Sequence, residues 1–188
     1  MALPLKDSPH SFGVGSILLH WIVALTIIGM YPLGLYIGTL TYYDPEYQTI
    51  PSWHKSIGMT LALFVILRLF WRAFNRTPKP IPQPQTLQSI TKIVHALLYL
   101  LPVITLLSGY MISTADGRPI SVFNWFDVPA LPALIENQED LAGEIHYWVA
   151  TLMVSLAGLH ALAALKHHFI NKDKTLIRMI RISKENNL

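Results

Sequence analysis

Cysteine is absent from all 188 residues, and charge is scarce: Asp, Glu, Lys and Arg together make up 13% of the chain. A soluble domain carries about 25%. Without cysteine there can be no disulfide, iron–sulfur cluster, thiolate zinc site or covalent CxxCH haem attachment. Without more charge, a soluble surface is hard to build, and the 52% apolar content points into a membrane. Any metal must use other ligands, and eight histidines are the obvious stock.

Crossing about 30 Å of hydrocarbon takes roughly 20 mostly apolar residues. Four stretches qualify: about Val14–Gly38, Ser56–Phe74, Ile90–Ser113 and Ala142–Phe169. They leave little for a second domain, so residues 1–188 read as one membrane domain. The runs are continuous, not the alternating segments of a membrane barrel, which predicts an all-α transmembrane four-helix bundle. Pro32 and Pro102 fall inside spans, where membrane helices tolerate them. The first apolar run is too long for a cleaved signal peptide, and Lys6 is the only base ahead of it.

The few charges are unevenly placed. The amino-terminal segment, the adjoining ends of spans two and three, the segment Asn75–Ser89 and the tail hold twelve bases, Lys184 among them, against three acids, a net +9. The other two connections hold Lys55 and Arg118 against eight acids, a net −6. The positive-inside rule then predicts that both termini are cytoplasmic. An outer surface of that sign disfavours anions and favours basic partners. The loop Asn75–Ser89, with its alternating prolines, reads as an extended strap joining two helix ends. Thr114–Leu141, with Phe123, Trp125 and Phe126, reads as a cap over the bundle.

Histidine inside a span implies function or a buried partner. His146 and His160 are 14 residues apart, within ~40° of whole turns and about 21 Å along the axis. They therefore share one helix face at two depths. His54 matches His146 near the outer surface. At the inner level both His20 and His95 match His160. Depth-matched imidazoles on neighbouring helices suit bis-histidine ligation of haem in a bundle core. Gly58, Gly143, Ala157, Gly158 and Ala161 offer the gap that a flat porphyrin needs. His167 follows His160 on nearly the same face, ~10 Å deeper. A His-lined proton or metal path and plain helix–helix bonding are the rival readings. Arg68 and Arg72 read as snorkelling residues or haem-propionate partners.

Several runs carry a resemblance: His20-Trp21, His54-Lys55-Ser56-Ile57-Gly58, His146, Leu159-His160-Ala161, Ala164-Leu165-Lys166-His167-His168-Phe169 and Lys172-Asp173-Lys174-Thr175-Leu176. With them the chain resembles the bacterial branch of the cytochrome b561 family, four-helix di-haem membrane cytochromes, over about Phe12–Arg181. The resemblance implies two non-covalent b haems, the outer on His54 and His146 and the inner on His20 and His160, with His95 beside the inner site. It also implies the bacterial inner membrane, electron exchange with ubiquinone, and a quinone contact at His167. One branch oxidises superoxide, a role that the acidic outer face opposes.

The expected function is therefore electron transfer between a periplasmic-side partner, a basic redox protein by charge, and the quinone pool of a respiratory or redox-defence chain. The alternatives are a cytochrome b anchor subunit of a larger oxidoreductase and a superoxide:quinone oxidoreductase. No proton-abstracting or nucleophilic constellation appears, and no nucleic-acid partner is expected.

Overall fold

Each apolar run forms a helix, and three of the four helices begin earlier than hydropathy alone suggests. The computed structural model describes residues 4–181, so Lys184 lies outside the described residues. Its long helices are α1 (Val14–Ile37), α2 (Thr49–Phe74), α3 (Gln85–Thr114) and α4 (Gln138–Phe169). All four are long and apolar enough to cross a membrane.

The added turns are polar. Pro51 sits in the first turn of α2, where a missing backbone N–H leaves no bond unmade. In α3, Gln85–Ser89 extend the helix back to Pro84, its N-cap. The strap is therefore shorter than Asn75–Ser89, because Pro84 is the last residue that breaks the helical bonding. In α4, Glu139 and Asp140 occupy the first turn, where carboxylates favour the positive end of the helix dipole. His54 consequently lies in the second turn of α2 rather than at its start.

The helices alternate in direction. One end of the bundle, the terminal end, holds the first and last described residues and the strap. There Lys79 donates its backbone N–H to Pro9, and Arg178 Nη1 donates to the Lys79 carbonyl at 2.9 Å. A short helical turn, α5 (Ile177–Ile180), accepts the Trp21 indole N–H at the Met179 carbonyl, 2.7 Å.

The other end carries an antiparallel hairpin, β1 (Ile120–Val122) and β2 (Phe126–Val128), with Ser121 opposite Asp127. The expected cap is thus an ordered hairpin. Ile120 and Val122 are buried, and β1 packs on α2. Tyr110 Oη donates to the Pro129 carbonyl at 2.7 Å and accepts from the Leu131 N–H at 3.0 Å, which pins the hairpin's exit to α3.

Helix α3 packs most extensively on α4, and α1 on α2. The core is one apolar layer of Val23, Ile27, Leu61, Val65, Leu101 and Met153. It lies at mid-bundle, and the histidines sit above and below it. Large apolar side chains such as Leu25, Leu63, Leu100 and Leu152 point outward. On helices of this length an apolar exterior is the lipid-facing surface.

Candidate functional site

At the hairpin end, α2 and α4 bring His54 and His146 together, with ring centroids 6.3 Å apart and planes inclined at 71°. His146 Nδ1 lies 2.8 Å from the Thr105 carbonyl. A carbonyl can only accept, so Nδ1 carries the proton and Nε2 keeps a free lone pair. Ser108 Oγ is 3.3 Å from the same nitrogen. Glycine makes the close approach feasible on both sides. A Cβ on Gly109 would fall 3.0 Å from His146 Cε1, and one on Gly34 would fall 3.3 Å from His54 Cε1. His54 Nδ1 is buried with no hydrogen-bond partner. An orphaned buried nitrogen is uncommon and calls for an explanation.

At the terminal end three imidazoles gather. The His95 and His160 rings are 5.4 Å apart. His20 lies within electrostatic reach of both, and its Nδ1 accepts from Arg68 Nη2 at 3.1 Å. Arg68 therefore turns inward, where it also covers the Tyr99 ring at 4.9 Å. His20 and His160 are partly buried, whereas His95 is exposed.

Beyond the end of α4 the chain turns back so that Asp173 Oδ2 meets His167 Nδ1 at 2.5 Å, with Asn171 Nδ2 at 3.2 Å from the same nitrogen. The turn places Lys172 in the left-handed region, φ 53°. Burial acts to raise the Asp173 carboxyl, but hydrogen bonds from Thr175 and His167 outweigh it and hold it below the ordinary carboxylate value. The side chains of His167 and Asp173 are 21% and 22% exposed, open enough for a small molecule to reach.

Among the described residues no group of three or more His, Cys, Asp or Glu side chains cages a bare metal ion. A haem would ask less of the protein than a bare ion, because two histidines facing one another would be enough to hold it. At metal–nitrogen bonds of about 2.0–2.1 Å, two such rings have centres roughly 6 Å apart. The 6.3 Å between His54 and His146 fits this spacing, and the unpartnered His54 Nδ1 means that no protein hydrogen bond holds that ring away from such a group. The 5.4 Å between His95 and His160 is shorter. Side chains added at Gly143 or Gly158 would meet nothing within 4 Å, and one at Gly58 only Met30 Cε at 3.9 Å. Open space therefore flanks the helices at those positions.

A family model described as prokaryotic cytochrome b561 matches residues 11–181. The chain belongs to the prokaryotic cytochrome b561 family. Among its relatives, cytochrome b561 homolog 2 of Escherichia coli (strain K12) is 46% identical over 179 residues, 95% of each chain. Cytochrome b561 homolog 1 of the same organism is 29% identical over 174 residues, covering 91% of this chain and 97% of the relative. A Yersinia pestis protein named probable superoxide oxidase CybB is 29% identical over 167 residues, 86% and 91% of the two chains. This cytochrome b561 protein is thus a multi-pass protein of the bacterial inner membrane that binds haem b and transfers electrons.

Of the six histidines marked in the sequence, the structure pairs His54 with His146 and clusters His20, His95 and His160. It sets His167 apart, on Asp173. Sequence reasoning missed Thr105, Ser108, Gly109, Gly34 and Ser56. The run Thr105-Leu-Leu-Ser108-Gly109, small and polar within an apolar span, was the available signal.

Proposed function

We propose that this cytochrome b561 protein holds two b haems, one at each end of the bundle, and passes electrons between a periplasmic-side donor and ubiquinone near the cytoplasmic face. The observation that carries the reading is the His54–His146 pair, with His146 already in the tautomer that offers Nε2 to a metal. Metal-bound histidine almost always donates its other ring N–H in this way, which fixes ring orientation and raises ligand basicity.

Held by these histidines, haem would supply the one-electron chemistry. The protein's own residues do the rest. Thr105 and Ser108 orient His146, and Gly34 and Gly109 let the helices close on the ring pair. The apolar layer around Val65, Leu101 and Met153 separates the two histidine levels. It keeps water out of the middle of the bundle, which favours an electron carrier over a His-lined proton path.

At the terminal end we assign His20 and His160 as ligands, with His95 beside them. The burial of His20 and the short His95–His160 spacing support this choice. A guanidinium only donates, so Arg68 holds the His20 proton on Nε2. Ligation through that nitrogen requires Arg68 to release Nδ1 and turn to another acceptor, for which a haem propionate is chemically suited.

Quinone reduction consumes protons, and at the same end Asp173 holds His167 Nδ1–H, leaving Nε2 to exchange a proton with a quinone oxygen. With twelve bases on that side and eight acids opposite, the positive-inside rule faces it to the cytoplasm.

Haem stoichiometry by pyridine haemochromogen assay tests the reading. Two haems per chain are expected; His54→Ala should lose one and His160→Ala the other. A colourless protein from haem-sufficient cells, or both substitutions depleting the same haem, overturns it.

A further inference from the structure

The hairpin is built more firmly than a connecting loop requires. Its tip places Phe123 and Asn124 at φ 50° and 58°, a left-handed pair without glycine, and a bulky residue rarely holds that conformation unless its surroundings enforce it. Here Ser56 enforces it. Its hydroxyl, 1% exposed, accepts the Phe123 N–H at 3.0 Å and donates to the Ser121 carbonyl at 3.4 Å. Ser56 lies two residues beyond His54, so the strained tip is tied directly to the helix turn that carries the ligand.

The strain has a visible consequence. Phe123 is turned against Trp53, centroids 5.5 Å apart, and against Trp125, 5.7 Å. Trp53 immediately precedes His54, and Trp125 is 82% exposed. Three touching aromatic rings thus run from the His54 turn to the surface at this end. The surface at this end is acidic. Asp127 is exposed on β2, two residues after Trp125, and Asp44, Glu46, Glu136 and Glu139 lie on the connections and the helix start at the same end. One of the two bases at this end, Arg118, is already paired with Asp116 at 2.5 Å, leaving Lys55 against a large excess of carboxylates. An exposed Trp with an acidic rim is the composition of a docking patch for a basic protein: the aromatic supplies the anchor, and the carboxylates steer and orient the encounter.

We propose that the Trp53–Phe123–Trp125 hairpin face is the docking site for a soluble, basic, one-electron redox protein. The aromatic contacts place that partner's centre next to the His54 turn. This rests on the electron-carrier reading above and names its outer partner by chemistry and its contact surface by residue.

The test is a binding titration with the haem-loaded protein in nanodiscs of zwitterionic lipid, so that membrane charge does not collect the probe. The probe is a basic mitochondrial-type cytochrome c, and an acidic flavodoxin is the control. Cytochrome c should bind and the flavodoxin should not, with affinity falling steeply as ionic strength rises through ~0.1 M, where screening reaches about 10 Å. Trp125→Ala and Asp127→Lys should each weaken binding roughly tenfold or more, while haem content and spectrum stay unchanged. A bimane label on Asn124→Cys should be shielded by cytochrome c and left unquenched by brominated lipid.

Wild-type affinity in both variants, or equal binding of the flavodoxin, overturns the proposal. So does lipid quenching of the label, which would mean that the hairpin lies in the headgroups. Self-association that depends on Trp125 overturns it in favour of a second copy. Haem stoichiometry on the same preparation separates the two levels of inference. Two haems without binding removes only the docking site, whereas a chain without haem removes the carrier reading and the docking site together.

Discussion

His146 donates its Nδ1–H to the Thr105 carbonyl at 2.8 Å, across the most extensively packed helix pair in the bundle. That bond crosses from α4 to α3 within a turn of Gly109, whose missing Cβ leaves the His146 ring its space. One bond thereby couples helix packing to the tautomer of a ligand. A backbone acceptor cannot be removed by ordinary substitution, so the arrangement is best probed through the neighbouring side chains.

Gly109→Ala should displace the ring, since its new methyl would lie 3.0 Å from Cε1 in a helix that cannot easily move away. The expected result is loss of one haem of two, with retention at that site weakened about 10–100-fold, measured by pyridine haemochromogen after dialysis against apomyoglobin. Ser108→Ala removes the 3.3 Å contact to the ring together with the hydroxyl's own bonds to the Ile104 and Thr105 carbonyls, 2.9 Å each, and leaves the Thr105 carbonyl to His146 alone. It should keep both haems and shift the potential of one. Full haem retention in Gly109→Ala would mean that the His146 ring is not held as described.

The terminal-end assignment separates cleanly. His20→Ala should remove one haem, whereas His95→Ala should keep both and alter the spectrum only slightly. If His95→Ala is the variant that loses haem, the ligand set is His95 with His160, the pair whose rings stand 5.4 Å apart. Arg68→Gln probes the competing donor. It should leave stoichiometry intact in the assembled protein and change haem affinity at that end alone, read by the same dialysis.

The histidines were legible in the sequence because helical spacing converts numbers into faces and depths, and His146 and His160 obey it. What supports them was less legible, for identifiable reasons. Arg68 reads equally as a snorkelling base or a propionate partner, and only the structure shows His20 within its reach. Hydropathy places the start of α2 near Ser56, but backbone bonding continues to Thr49 through residues too polar to score as membrane. The hairpin tip lacks the Asn-Gly or Gly-Gly signal that a tight turn usually carries. Its left-handed pair is enforced by Ser56, 67 residues away from Phe123 in sequence, and no local pattern encodes that.

His167 and Asp173 provide the prediction at the quinone end. His167→Ala should slow haem oxidation by a water-soluble quinone analogue, on the order of 10²-fold if the imidazole is the proton carrier, with the absorbance spectrum preserved. Asp173→Asn should slow it less, because the ring stays but loses its carboxylate. The Asp173 carboxyl is held below its ordinary value, so it stays charged above the unperturbed value of about 3.9. Its contribution is lost only as pH falls through the lower folded value. Between pH 5 and 8 the Asp173→Asn defect should therefore be constant, measured by stopped-flow reoxidation. A defect that disappears toward pH 5 would point to a different titrating group.

Orientation can be decided by exploiting the absence of cysteine, since any thiol introduced is the only one in the chain. Ala133→Cys lies on the exposed connection before α4, and Thr77→Cys on the exposed strap at the opposite end. Neither substitution changes the charges on which the positive-inside argument depends. In cells with a permeabilised outer membrane, a membrane-impermeant maleimide should modify Ala133→Cys at once and Thr77→Cys only after the inner membrane is broken. The reverse pattern would put the acidic hairpin in the cytoplasm, beside a basic surface outside. The docking partner and the quinone end would then exchange compartments, while the two histidine levels and their ligands stayed as they are.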